Sequence, residues 1–247
     1  MKEQELYADM NWWVELKTCG GVWRHSGDPR APHVVLRSGQ HSDLYIDVLR
    51  ALSKTEFLIL AAQTLATRIR GVIGDDPIDW VVGSPMAAIQ LAAHVGSPIN
   101  SRYVGYTEKT GGSDNKELVC RFDIAPGETV LQVDEMTTTG ETPERSIEAV
   151  EKKNPSAIIL PVVGAFLIRC EERPDALTGG RYLAPVINLP ALGISGSEWS
   201  PNHCPLCAAG SRAILNPKLV WRDLLRTMAN PTFEVHSAIL APKESRG

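Results

Sequence analysis

The chain has 247 residues, 43% of them hydrophobic and 22% charged, with a formal net charge of −4 and a pI near 5.9. That is the make-up of a globular chain able to bury a core, and it lacks the basic footprint that broad nucleic-acid binding needs. The start, MKEQELYADM, has no apolar stretch behind a basic start and is not expected to act as a signal peptide, and the longest apolar run, Ala157 to Ile168, is interrupted by Pro161 and falls short of the roughly 20 residues of a membrane helix. A cytoplasmic protein with no membrane and no nucleic-acid partner is expected. Cys19, Cys120, Cys170, Cys204 and Cys207 are odd in number and widely spaced, unlike a disulfide scaffold.

In chain order, residues 3–17 fit an amphipathic helix with Leu6, Met10, Trp13, Val14 and Leu16 inward. Gly20–His33 is rich in breakers and reads as a loop. HVVLRSGQHSDLYIDV suggests two short strands around a polar turn. Ser53 and Glu56 have capping-box spacing, opening a helix from about Thr55 to Arg70. DWVVG then reads as a buried strand, MAAIQLAAHVG as a small-residue helix and SRYVGYTEK as a strand. TGGSDNKE, Thr110 to Glu117, is a polar loop. LVCRFDI and TVLQVD are strands parted by the turn APGE, and Thr142 to Lys153 is a helix with Pro143 in its first turn. AIILPVVGAFLI is a buried strand, in one piece or in two around Pro161 and Gly164. From Tyr182 the pattern is less regular and ends in a helix at about Pro217 to Met228. Strands alternating with helices predict an α/β fold, a central mostly parallel sheet flanked by helices, with a small hood. The expected organisation is a single domain over residues 1–247, with a hood segment over 1–53, a core over 54–180 and a C-terminal extension over 181–247.

VLQVDEMTTTGET, Val130 to Thr142, carries the chemistry. The strand is expected to stop at Asp134 and Glu135, both facing solvent, where ligands bind beyond the carboxyl ends of a parallel sheet. The threonine run leads into a helix N-terminus, where backbone N–H groups and the helix dipole favour a phosphate. A sugar between them reconciles the two, with carboxylates on its hydroxyls and the loop on its phosphate. A plainer reading, Thr142 as N-cap with the acids complementing the dipole, accounts for one acid and one threonine only.

The segment resembles the phosphoribosyl-pyrophosphate motif of type I phosphoribosyltransferases. VLRSGQHSDLYID resembles the N-terminal substrate segment of orotate phosphoribosyltransferases, VVGSPMAAIQLA their pyrophosphate loop, YTEKTGGSDNKELVC their flexible catalytic loop, and CPLCAAG the ending of one bacterial branch. The resemblance spans roughly Pro32 to Gly210, with segments in the same order. It implies transfer of a phosphoribosyl group from phosphoribosyl pyrophosphate to orotate, with Mg²⁺, by a homodimer. The alternatives are transfer to another base, or a non-catalytic nucleotide sensor of the same fold. Three positions depart from the pattern: Ala87 and Ala88 where glycine is usual, and Glu141, which adds negative charge beside the expected phosphate.

By the same resemblance, Asp134 and Glu135 bind the ribose hydroxyls. Thr137, Thr138, Thr139, Gly140, Glu141 and Thr142 form the 5′-phosphate loop. Lys109 meets pyrophosphate, Arg169 grips the base carboxylate, and Ser38, Gly39 and His41 line the base side. Each has a plainer alternative: Lys109 a solvated loop residue, Arg169 paired with Glu171 or Glu172, His41 part of a turn. Arg121 and Lys116 either reach a neighbouring subunit's site or are surface charge. No protein-held metal site is expected. The Cys-x2-Cys of HCPLC is half a zinc site, with His203 too close in sequence and Cys19 and His25 as distant candidates. It reads as a tight turn with two half-buried thiols.

Overall fold

The structure, a computed structural model, describes residues 3–110, 117–169 and 180–235, with side chains from residue 8 onward. The elements run α1 (Glu3–Thr18), β1 (Val22–Arg24), β2 (His33–Val35), β3 (His41–Ser42), β4 (Leu44–Ile46), α2 (Leu49–Leu52), α3 (Thr55–Ile73), β5 (Trp80–Gly83), α4 (Ala88–Gly96) and β6 (Tyr103–Lys109). They continue with β7 (Leu118–Cys120), β8 (Thr129–Thr137), α5 (Glu141–Lys153), β9 (Ile158–Ile168), β10 (Tyr182–Asn188), β11 (Glu198–Trp199), α6 (Pro205–Ala208), β12 (Ala213–Ile214) and α7 (Trp221–Ala229). Two compact units result: Met1–Trp13 with Ala51–Ile194, and Val14–Arg50 with Ser195–Gly247.

The larger unit is built on a six-stranded sheet in the order β10-β9-β8-β5-β6-β7. β7 pairs antiparallel with β6, and the other neighbours are parallel. The chain runs outward from β5 to β6 and β7, then returns to the other side of β5 with β8 and continues to β9 and β10. The strand order therefore reverses between β5 and β8, and the crevice beyond their carboxyl ends is the topological switch point.

Helix α3 buries Phe57, Leu58, Ala61, Ala62, Leu65, Ala66 and Ile69, one face at helical spacing. A Cβ on Gly164 would stand 2.8 Å from Ile69 Cδ1, so the glycine in β9 lets this helix sit close.

Several local expectations are corrected. In α1, Trp13 and Leu16 are buried, but Met10 and Val14 are 40% and 45% exposed; Leu6 lies outside the described side chains. The inward stripe runs through Asp9 instead, because its carboxylate has partners. Arg68 Nη2 reaches Asp9 Oδ1 at 2.6 Å, and the Asn188 N–H donates to Oδ2 at 3.1 Å. Lys54, not Ser53, occupies the N-cap of α3, and it makes no side-chain capping bond. β9 is one strand. Val130 pairs with Ile159 but Gln132 pairs with Val163, and this register shift places Pro161 in an irregularity where a missing N–H is tolerated. β10, expected in the extension, joins the large sheet at its edge.

The smaller unit unites an N-terminal segment with the tail. It holds a four-stranded sheet in the order β11-β3-β2-β12 and a β1–β4 ladder. Trp23, Val34, Ile214, Trp221 and Leu224 are buried together in its core. Both indole N–H groups are satisfied: Trp23 Nε1 donates to Thr227 Oγ1 at 3.1 Å and Trp221 Nε1 to the Gly20 carbonyl at 2.8 Å. The last helix among the described residues begins as a 3₁₀ turn, Pro217–Val220, before α7.

Candidate functional site

At the switch point β5 ends in Gly83, where a Cβ would stand 2.8 Å from the Ala88 carbonyl oxygen. Only glycine lets the first turn of α4 fold this tightly against the strand. Ser84, fully buried, donates its N–H to the Val133 carbonyl at 3.0 Å, so the turn after β5 is pinned to β8. Alternation along β8 turns Gln132 and Asp134 to one side. Gln132 Nε2 donates to Ser84 Oγ at 3.0 Å and to the Val133 carbonyl at 3.1 Å.

Asp134 is 1% exposed, which corrects the expectation that both acids face solvent; Glu135 is half-buried. The cause is the strand's length: β8 runs three residues past Asp134, to Thr137, instead of stopping at the acids. Asp134 Oδ1 accepts the Glu135 N–H at 3.1 Å. Its Oδ2 and Gln132 Oε1 are buried without a hydrogen-bond partner among the described residues. Burial, and next the charge of Glu135, pushes the Asp134 carboxyl well above the usual carboxylate range.

Beyond β8 the chain turns at once. Thr137 Oγ1 accepts the Gly140 N–H at 3.0 Å, and Gly140 has φ +76°, the left-handed region that glycine enters freely. Gly140, not Thr142, is the N-cap of α5. Thr138, Thr139, Glu141 and Thr142 are exposed at the mouth of this turn. Glu141 forms an ion pair with Arg145 one helical turn on, so its charge is offset locally. Ala87 has φ −72° and ψ −31°, an ordinary right-handed conformation, so alanine there carries no backbone strain. The peptide between Pro85 and Met86 is cis.

Lys109 is exposed at the end of β6, and the Arg169 N–H bonds the Thr137 carbonyl at 3.0 Å just after β9. Both therefore sit on the carboxyl edge of the sheet that carries Asp134 and Glu135. Arg121 pairs with Glu108 at 2.7 Å. Residues 111–116, with Lys116, and Glu171 and Glu172 lie outside the described residues.

Ser38 and Gly39 form the β2–β3 turn of the smaller unit, with Gly39 at φ +85° donating its N–H to the Leu36 carbonyl at 2.9 Å. His41, expected on the base side, is instead 7% exposed at the start of β3, its Nδ1 2.8 Å from His33 Nε2 and 3.3 Å from Cys207 Sγ. Cys204 and Cys207 do lie in a tight turn, one buried and one half-buried, but they face His33 and His41 rather than Cys19 or His25. Sequence reasoning missed His33, Ser84 and Gln132. The alternation Gln132, Asp134 along the strand was the available signal for Gln132.

No family model matches the chain. It is 31% identical over 197 residues to the orotate phosphoribosyltransferase of Acidithiobacillus ferrooxidans, covering 78% of this chain and 92% of that protein. It is 28% identical over 193 residues to the orotate phosphoribosyltransferase of Heliobacterium modesticaldum, covering 78% of this chain and 93% of that one. The crystal structure of orotate phosphoribosyltransferase from Aeropyrum pernix shares the fold at a TM-score of 0.56 and 23% identity, over 73% of this chain and 96% of that one. The paired acids and threonine turn at a parallel-sheet switch point agree with this relationship, and the chain belongs to the orotate phosphoribosyltransferase family.

Proposed function

We propose that the protein transfers the phosphoribosyl group of phosphoribosyl pyrophosphate to orotate, giving orotidine 5′-monophosphate and pyrophosphate. The observation that carries the reading is the end of β8. A buried carboxylate with an oxygen lacking a partner among the described residues, Asp134, stands beside a second acid and six residues before Gly140, the left-handed glycine that opens a helix N-terminus. Leaving such an oxygen unmatched is costly unless a ligand completes it.

On this reading Asp134 and Glu135 accept from the ribose hydroxyls, and Thr137 to Thr142 cradle the 5′-phosphate. The bond from the anomeric carbon to pyrophosphate breaks as the bond to the base nitrogen forms, with oxocarbenium character between. Lys109 supplies positive charge where the pyrophosphate oxygens gain negative charge. Arg169 grips the carboxylate of orotate, which it can do with two parallel bonds. The two carboxylates are hard oxygen donors of the kind Mg²⁺ takes, and the unmatched Asp134 oxygen fits a cation or its bound water. Bound with the donor, Mg²⁺ would neutralise pyrophosphate oxygens.

The family resemblance supports a homodimer. A cytoplasmic setting is supported by Cys19 and Cys120, which form no disulfide among the described residues. No helix among the described residues is long and apolar enough to cross a membrane. The departures that favoured a non-catalytic sensor lose force, since Ala87 is unstrained, Ala88 opens α4 normally and Glu141 is paired.

The test is to incubate the purified protein with phosphoribosyl pyrophosphate, Mg²⁺ and, separately, orotate, uracil, adenine and hypoxanthine. Orotate alone should be converted to its nucleotide. Turnover of a purine without orotate would overturn the assignment of the base.

A further inference from the structure

In the smaller unit, four side chains of metal-ligating type converge: His33, His41, Cys204 and Cys207, their ligand atoms all within 4.8 Å of one another. They come from places far apart in sequence. His33 opens β2 and His41 opens β3, and each is held on both sides. β2 lies between β3 and β12, with the His33 N–H bonded to the Arg212 carbonyl at 2.9 Å; β3 lies between β2 and β11. The cysteines belong to one turn, in which the Ala208 N–H bonds the Cys204 carbonyl at 3.1 Å and the Gly210 N–H bonds the Cys207 carbonyl at 3.0 Å.

The distances suit a shared ion. Zn–S near 2.3 Å and Zn–N near 2.0–2.1 Å in a tetrahedron put neighbouring ligand atoms about 3.3–3.8 Å apart. Cys204 Sγ and Cys207 Sγ lie 3.7 and 3.3 Å from His33 Nε2, and Cys207 Sγ lies 3.3 Å from His41 Nδ1. The His33 Nε2 to His41 Nδ1 approach, 2.8 Å, is shorter, and all four ligand atoms lie within 4.8 Å of one another.

Hydrogen bonding fixes which nitrogen of His33 is bare. Ser211 Oγ gives its one hydrogen to the Ala31 carbonyl at 2.6 Å, so at 2.8 Å from His33 Nδ1 it can only accept. Nδ1 therefore carries the proton and Nε2 turns a single lone pair into the cluster. A lone pair cannot accept from His41 and two thiols at once, whereas one central cation satisfies all four groups. The Ser211 contact is also the outer support that metal-binding imidazoles usually have.

We propose that His33, His41, Cys204 and Cys207 form a closed Cys₂His₂ zinc site that fastens the C-terminal segment to strands β2 and β3. Two thiolates and two neutral imidazoles balance Zn²⁺ and leave no open position, so the metal is structural. Binding releases the two thiol protons. It also braces the β2–β3 turn that carries Ser38 and Gly39.

Protein purified without chelator should contain one equivalent of zinc per chain by mass spectrometry. Stripped protein titrated with Co²⁺ should develop tetrahedral d–d bands with thiolate-to-cobalt charge transfer. Cys207→Ser, at the half-buried position, should lose the charge-transfer intensity due to that thiolate and bind metal more weakly. Removing zinc should lower the unfolding temperature of the wild type. Because the Co²⁺ titration uses the unaltered chain, the proposal stays testable if a cysteine variant fails to fold. Wild type that folds without metal and takes up neither ion stoichiometrically would overturn it. So would full zinc retention in a folded Cys204→Ser, Cys207→Ser double variant.

Discussion

At the end of β8, Asp134 Oδ2 and Gln132 Oε1 are buried with no hydrogen-bond partner among the described residues. In the smaller unit His33, His41 and Cys204 are buried and Cys207 half-buried, yet their ligand atoms all lie within 4.8 Å of one another. Both regions conceal polar atoms that would be better hydrated in an unfolded chain. The first leaves them unmatched at the mouth of a parallel sheet, as a site completed by an exchangeable ligand would. The second gathers them around one point, as a site completed by a permanent ion would. The contrast implies that substitutions at the first should alter ligand binding and rate, while those at the second should alter stability with no substrate present.

Among single substitutions the largest effect is expected at Lys109. Lys109→Ala should lower kcat by about 10²-fold, the scale for losing one preorganised contact to a developing charge, with a much smaller change in KM for orotate. Unliganded thermal stability should not move, because the side chain is exposed. Equal loss in KM and stability would break the comparison. Arg169→Leu should come next, weakening orotate by about 1.5–3 kcal/mol, the worth of a hydrogen bond to a charged group. Donor affinity, read by calorimetry, should be retained.

Gly140→Ala places a side chain at φ +76°, which costs about 1–2 kcal/mol. Denaturant unfolding should show that loss, and donor affinity should fall with it because the turn is reshaped.

The smallest effect, and the one with opposite sign, is Asp134→Asn without ligand or Mg²⁺. The folded-state pKa of Asp134 is raised by burial and by Glu135, so the protonated form favours the fold. That contribution is complete below the ordinary carboxylate pKa and is lost as pH rises through the folded value. The asparagine variant should match wild type near pH 4 and become progressively the more stable of the two toward neutrality. A constant difference across that range would show that Asp134 is not held as a buried acid.

The sheet and the donor motif were legible because β5, β8 and β9 are short apolar runs with turn signals between them, and because Asp134 to Thr142 is a compact pattern. The site's depth was not legible. Whether Asp134 faces water depends on how far β8 extends, and that is set by its pairing with β9 as far as Thr137 and Ile168, not by residues 130–137 alone. The N-cap of α5 was misplaced for a related reason: a left-handed Gly140 closes the turn through Thr137 Oγ1 before any threonine side chain is needed. His41 was read with its neighbours in sequence, Ser38 and Gly39. Its true neighbours come from β2 and from a turn more than 160 residues away, and no local pattern joins HCPLC to those histidines.

The account's central claim is that the end of β8 binds the phosphoribosyl donor. It is tested most directly by calorimetric titration of phosphoribosyl pyrophosphate with Mg²⁺ into wild type and into Asp134→Asn, Glu135→Gln protein. The account predicts that the double variant unfolds as cooperatively as wild type but binds the donor more weakly by about 1.5–3 kcal/mol for each carboxylate removed. Wild-type donor affinity in a folded double variant would contradict it.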